Sequence, residues 1–259
     1  MKQLIRIIPV FLVMVLLASC LPPKEEKKLT VPVKDNFIIL LDLSDRLIVQ
    51  DNQPERDKEL IRYLYPLFEE RVRANLYLRS RDEIRVVVAP QRGAGLKSEV
   101  FEDSLYINMD NIPAVLRRKT EEKRRETFDR NLDRLYDQAV FSDNPEEYYG
   151  ADIWKYFYED LKVDYVRDTL TRNFLFLFTD GYPIVGRDLS KLQPVKEDYP
   201  DLKVVLIEAA PREKDMEWDR IQVLWEDWFK SMKINDYVFV KRTALSKEKD
   251  MLKEIVQGP

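Results

Sequence analysis

The sequence predicts an α/β domain built on a doubly wound, mostly parallel central sheet with helices on both faces. Three observations predict it. Phe37-Ile38-Ile39-Leu40-Leu41 and Phe174-Leu175-Phe176-Leu177-Phe178 are unbroken apolar runs bounded by polar residues. Such runs read as strands buried on both faces, as in a parallel sheet covered by helices on either side. Amphipathic stretches with helical spacing separate the apolar runs through nearly the whole body, the alternation that builds parallel sheets. Finally, both runs stop at acidic tips, Asp42 and Asp180. In open α/β sheets, ligands bind just beyond the carboxyl ends of the strands.

Taken in order, the first strand ends at Asp42-Leu43-Ser44-Asp45-Arg46, and Leu47 to Pro54 reads as a polar loop. A helix follows from about Glu55, because Leu60, Leu64, Phe68, Val72 and Leu76 recur every four residues. Pro66 lies inside it and predicts a kink or a split. Glu83 to Pro90 is a second strand, and Gln91 to Gly95 a turn-rich loop with glycines too sparse for a phosphate-binding fingerprint. Ser104 to Met109 fits a short edge strand. Asn111 to about Phe141 is helical, and its cations Arg117, Arg118, Lys119, Lys123, Arg124 and Arg125 interleave with acids as a solvated face. Asp152 stands where an N-cap would open the next helix, with Trp154, Phe157, Tyr158, Leu161 and Tyr165 as its apolar stripe. After the second apolar run come a strand at Val204 to Ile207 ending in Glu208, a helix at Glu213 to Lys233, a strand at Tyr237 to Val240 and a helix at Ser246 to Val256. Glu208 has no motif around it and reads as structural.

The first residues read as an address. Lys2 and Arg6 precede an apolar stretch from Ile7 to Leu17, which is short for a membrane span, and Leu17-Ala18-Ser19-Cys20 follows. This layout resembles the signal and lipobox of bacterial lipoproteins. The resemblance implies cleavage after residue 19, acylation of the Cys20 thiol and a membrane anchored through the N-terminal lipid, palmitate among its acyl chains. Leu21, rather than an aspartate, follows the cysteine, which in Gram-negative relatives implies the outer membrane over the inner. Residues 20–34 then form a lipidated tether, and 35–259 the folded domain.

Composition narrows the chemistry. The chain of 259 residues has no histidine and one cysteine. Ser-His-Asp and Cys-His catalysis, His-ligated zinc and an intramolecular disulfide are therefore excluded. A resident metal must be hard and oxygen-ligated, such as magnesium. A formal net charge of -4 argues against a general nucleic-acid binder.

Asp42 with Ser44, and Asp180 within Thr179-Asp180-Gly181, resemble the von Willebrand factor type A (vWA) domain and its metal-ion-dependent adhesion site. The resemblance implies a divalent cation, magnesium or another, held by Asp42, Ser44 and Asp180, with an open position that a partner's carboxylate fills. Two positions depart from the family pattern. Arg46 stands where a second serine is expected, and Ala151 where a threonine is expected. A guanidinium at 46 could pair with the carboxylates in place of the cation.

The function these features imply is a non-enzymatic module at the cell envelope that binds a protein or peptide partner. The alternatives are a magnesium-dependent hydrolase using the strand-end carboxylates, and a metal-independent envelope assembly factor. Against the hydrolase, Asp42-Leu43-Ser44 lacks an Asp-x-Asp pair, and no activated nucleophile stands out.

Overall fold

Alternation along the strands explains why the apolar runs are unbroken. In the computed structural model, which describes residues 31–91, 98–148, 150–184, 192–208 and 215–258, six strands form one sheet. They are β1 (Lys34–Leu41), β2 (Glu83–Val88), β3 (Tyr106–Asn108), β4 (Thr171–Phe178), β5 (Leu202–Ile207) and β6 (Asp236–Val240). Their spatial order is β3-β2-β1-β4-β5-β6. Only β3 runs antiparallel to its neighbour. This is the doubly wound α/β arrangement of the vWA and Rossmann-like class.

Successive side chains of a strand point to opposite faces. Phe37, Ile39, Leu41, Phe174, Phe176 and Phe178 enter one core, and Ile38, Leu40, Leu175 and Leu177 the other. The first core is closed by α1 (Gln53–Ala74), α2 (Arg117–Ala139) and α5 (Leu245–Gln257). The second is closed by the helical stretch 153–164, here α3, and by α4 (Asp215–Ser231). A residue on either face is thus apolar, and no polar alternation survives.

Several expectations from sequence need correction. Lys34, assigned to the tether, opens β1. The loop after β1 contains a helical turn, Arg46–Val49, because Arg46 and Leu47 are buried. α1 runs through Pro66 without splitting. Leu64, Tyr65, Leu67 and Phe68 are all buried around it, and packing of that face offsets the roughly 3 kcal/mol that an interior proline costs. α2 starts at Arg117 rather than Asn111, after two tight turns at Met109–Asn111 and Ala114–Leu116. Pro113 forces this delay, since Ile112 before it is extended at φ -109 and ψ 124. Asp152 holds the N-cap position of α3, but its side chain makes no capping bond. α3 itself passes through a π-helical turn at Tyr156–Asp160. The signal, Cys20, most of the tether, the glycines after Gln91 and the expected start of α4 at Glu213 lie outside the described residues.

The basic face of α2 is partly structural. The Arg117 guanidinium donates to the carbonyls of Tyr77, Leu78 and Ser80, and clasps the loop before β2. Arg124 donates to the Tyr106 carbonyl and Arg125 to Glu69. Beside them, the Tyr65 hydroxyl donates to Glu121 at 3.1 Å. Burial, then the nearby Glu69, push Glu121 up to about 7.

Two outcomes follow for stability. Because the folded-state pKa of Glu121 is raised, its contribution is complete below the ordinary carboxylate range and is lost as pH rises through about 7. The melting temperature should therefore fall between pH 5 and pH 8, and Glu121→Gln should flatten that fall. An unchanged slope in the variant rules this group out as the source. In the sheet, Phe176 is fully buried against Phe37, ring centroids 5.4 Å apart. Phe176→Ala should lower the unfolding free energy by about 3–5 kcal/mol in urea titration.

Candidate functional site

The strand order sets the site. From β1 the chain crosses to β2 on one side, and from β4 it crosses to β5 on the other. The loops leaving β1 and β4 therefore diverge, which opens a crevice at the carboxyl ends of these two strands. Leu41 and Phe178 are in register, and the Asp42 amide donates to the Phe178 carbonyl at 2.9 Å. Asp42 and Thr179 thus come off the sheet side by side.

Both loops are held by short polar side chains bonding their own backbone two residues on. Asp42 Oδ1 accepts from the Ser44 amide at 3.0 Å. Thr179 Oγ1 accepts from the Gly181 amide at 3.1 Å, and Asp180 Oδ1 from the Tyr182 amide at 3.0 Å. Gly181 has φ 102, a left-handed conformation that favours glycine. Trp225 Nε1 of α4 donates to its carbonyl at 2.8 Å. Across the crevice, Thr179 Oγ1 donates to Asp42 Oδ2 at 3.0 Å. Asp42, Ser44, Thr179 and Asp180 are all buried. The structure therefore brings Asp42, Ser44 and the Thr179-Asp180 turn to one rim, as the sequence implies.

Arg46 departs from expectation. Its guanidinium does not bond the Asp42 carboxylate. It grips Asp57 of α1 through two bonds, 2.6 and 3.0 Å, and meets Asp42 only at the backbone carbonyl, 3.2 Å. Asp57 presents two coplanar oxygens that match the planar fork of donors. Both side chains are fully buried. Burial works against the Arg46 charge, and Asp57 more than offsets it, so the guanidinium stays protonated. Asp57 also accepts from Gln53 at 2.7 Å and from the Tyr136 hydroxyl at 3.0 Å.

Gln53 extends this network across the sheet. The same amide nitrogen donates to Glu208 at 2.5 Å, beyond the end of β5. Glu208, at φ 54, also accepts from Arg56 Nε at 2.6 Å, and Arg56 reaches Glu248 of α5 at 2.9 Å. The structural reading of Glu208 holds: burial acts to raise its pKa, but the bonds from Arg56 and Gln53 hold it below the ordinary range. Asp57, Gln53 and Tyr136 were not singled out from sequence, and Thr179 only as part of the Thr179-Asp180-Gly181 motif. A signal existed for two of them. Gln53 and Asp57 continue the four-residue spacing of Ile61 and Tyr65, so two polar residues occupy a core-facing stripe.

Ala151 reaches the rim as well. It bridges to Gln91, and the Asp152 amide donates to the Pro90 carbonyl at 2.8 Å, just past β2. A methyl group there offers no ligand oxygen. The remaining donors are the carboxylates of Asp42 and Asp180 and the hydroxyls of Ser44 and Thr179, all hard oxygens of the kind magnesium takes. Among the described residues, no three His, Cys, Asp or Glu side chains converge as a ready cage. With Arg46 matched by Asp57, burial raises the Asp42 pKa although Arg46, Ser44 and Thr179 pull it down. The Asp42 carboxylate accepts from the Ser44 amide, the Ser44 hydroxyl and the Thr179 hydroxyl, three of its roughly four lone-pair sites. This donor set fits a cation that keeps several waters and takes only one or two carboxylates.

No family model matches the chain, and no curated protein matches it. Solved structures do. An aerotolerance-related membrane protein from Bacteroides fragilis is 14% identical, with 87% of this chain and 98% of that one covered, at a TM-score of 0.38. The pilus adhesin SpaC from Lactobacillus rhamnosus GG is 10% identical, with 89% of this chain and 30% of that one covered, at 0.41. Both scores lie below 0.5, and the fold assignment rests on strand order and register.

Arg46→Met should leave Asp57 buried without its cation and lower the unfolding free energy by about 3–5 kcal/mol. Adding Asp57→Asn should recover part of that loss. A single variant as stable as the parent in urea titration would remove this pair from the support of the rim.

Proposed function

We propose that the chain is a lipid-anchored, non-enzymatic interaction module of the cell envelope that engages a protein or peptide partner through the rim of its sheet. The observation that carries this reading is the pairing of Asp42 with Thr179-Asp180 at the point where the crossovers diverge. Asp42 is clamped at both oxygens, by Ser44 and by Thr179, which suits a fixed acceptor better than a group that must shuttle a proton.

In this reading Asp42 and Ser44 hold a divalent cation, and Asp180 supports it from the facing turn. When bound, the ion supplies a Lewis-acidic position open to a partner's carboxylate. The chain's own part is to fix the oxygens: the loop bonds orient Asp42 and Asp180, and the Arg46–Asp57 pair braces the loop from below. Membrane attachment falls to acylated Cys20, in the outer membrane if the cell is Gram-negative. Among the described residues, no helix is long and apolar enough to cross a membrane.

Magnesium or manganese at a hundredfold excess over Kd should stabilise the protein by about 2.7 kcal/mol, a rise of several degrees in Tm. Asp180→Ala should reduce that rise. No shift in the parent protein would retire the cation and leave the fold untouched. The anchor is tested separately by fractionation: Cys20→Ala should leave the membrane fraction, and its retention there would show that the attachment lies elsewhere.

A further inference from the structure

The edge of the sheet carries a second feature. β3 pairs with β2 only over Glu83, Ile84 and Arg85. Among the described residues, the outer edge of β2 beyond Arg85 has no strand beside it until the Asp152 amide meets the Pro90 carbonyl and Gln91 meets Ala151. The Ala89 amide points inward, donating to the Leu41 carbonyl at 2.8 Å. Successive residues of a strand direct their amides to opposite edges, so Val86 and Val88 direct their N–H and C=O groups outward. An unpaired edge of this kind is a template for an added strand. From Val86 to Ala89 it runs about 10 Å, at ~3.3 Å per residue.

This edge lines a groove of about 610 Å³, within the range of roughly 300–1,000 Å³ typical of ligand pockets. Its opposite wall is the turn before β3, with Ser98, Glu102 and Asp103. α3 contributes Asp160, Val163 and Asp164. Among the described lining residues Arg85 is the one cation, and Asp164 neutralises it. Glu102, Asp103 and Asp160 are exposed and have no ion-pair partner among the described residues. Burial, then Glu159 and Asp164, raise the Asp160 pKa, so an added cation there relieves repulsion.

We propose that this groove binds an extended peptide segment bearing lysine or arginine, which adds as a strand to the outer edge of β2 from Val86 to Ala89. The edge amides supply affinity, and the unpaired acids select the positive side chains, the division of labour general to strand addition. The inference rests on the reading of the chain as an interaction module but uses a surface separate from the Asp42 rim.

The test uses the full chain and a fluorescein-labelled hexapeptide that alternates lysine and valine, followed by anisotropy. Saturable binding is expected, with none for the glutamate-valine counterpart. Methylating alternate peptide amides should weaken binding about tenfold, by removing strand hydrogen bonds. Val88→Pro should do the same, since it deletes an outward N–H and spares the ladder to β1. Should that variant fail to fold, the methylated peptide carries the test alone. Glu102→Gln with Asp160→Asn should weaken binding of the unmodified peptide. Absence of saturable binding overturns the proposal. So does equal binding of the methylated peptide, or displacement by spermidine at the peptide's own concentration, which would make the groove an acidic patch only. Asp180→Ala should bind the peptide as the parent does, so a failed cation rim and a failed groove give different results.

Discussion

The pairing of β1 with β4, both buried on two faces, is the constraint on which the rest depends. Two strands at the centre of a sheet leave no polar edge and no solvated face, so every side chain from Phe37 to Leu41 and from Phe174 to Phe178 must be apolar. The first polar residues beyond them are compelled to appear together at one end. Since the crossovers leave in opposite directions, the space above those residues is not filled by a helix. Burial of the strands and the opening of the crevice are thus consequences of the same topology.

The rim is preorganised by bonds that differ in reach. Asp42, Thr179 and Asp180 use local side-chain bonds to fix their own turns. Arg46 and Asp57 tie the β1 loop to α1. A buried ion pair of this kind is weak evidence for net stability, because desolvation costs several kcal/mol per ion. Its value here is positional: the guanidinium can satisfy its fork only with the loop seated on α1. Asp57 is saturated by Arg46, Gln53 and Tyr136, so the guanidinium bonds Asp57 rather than the Asp42 carboxylate, on which its charge acts only through space.

The fold was legible because its strongest signals are local in sequence. An unbroken apolar pentapeptide and a four-residue repeat need no knowledge of neighbours, and they located the central strands and α1. Boundaries were less legible where tertiary packing overrides local preference. Pro66 stays inside α1 because four buried side chains surround it, and α2 starts late because Pro113 holds Ile112 extended. Of the candidate site, Asp42, Ser44 and Asp180 were visible as residues that interrupt apolar runs. The role of Arg46 was not, because its partner lies eleven residues on in a helix whose polar positions looked like surface. Gln53 and Asp57 were recoverable in principle, as polar residues on a core-facing stripe.

One amide nitrogen of Gln53 faces two carboxylates, Asp57 and Glu208. An amide turned by half a rotation would set its oxygen against both anions. The side chain therefore acts as a key with a single seating: only with its nitrogen toward both acids does it join α1 to the end of β5, with no covalent link between them.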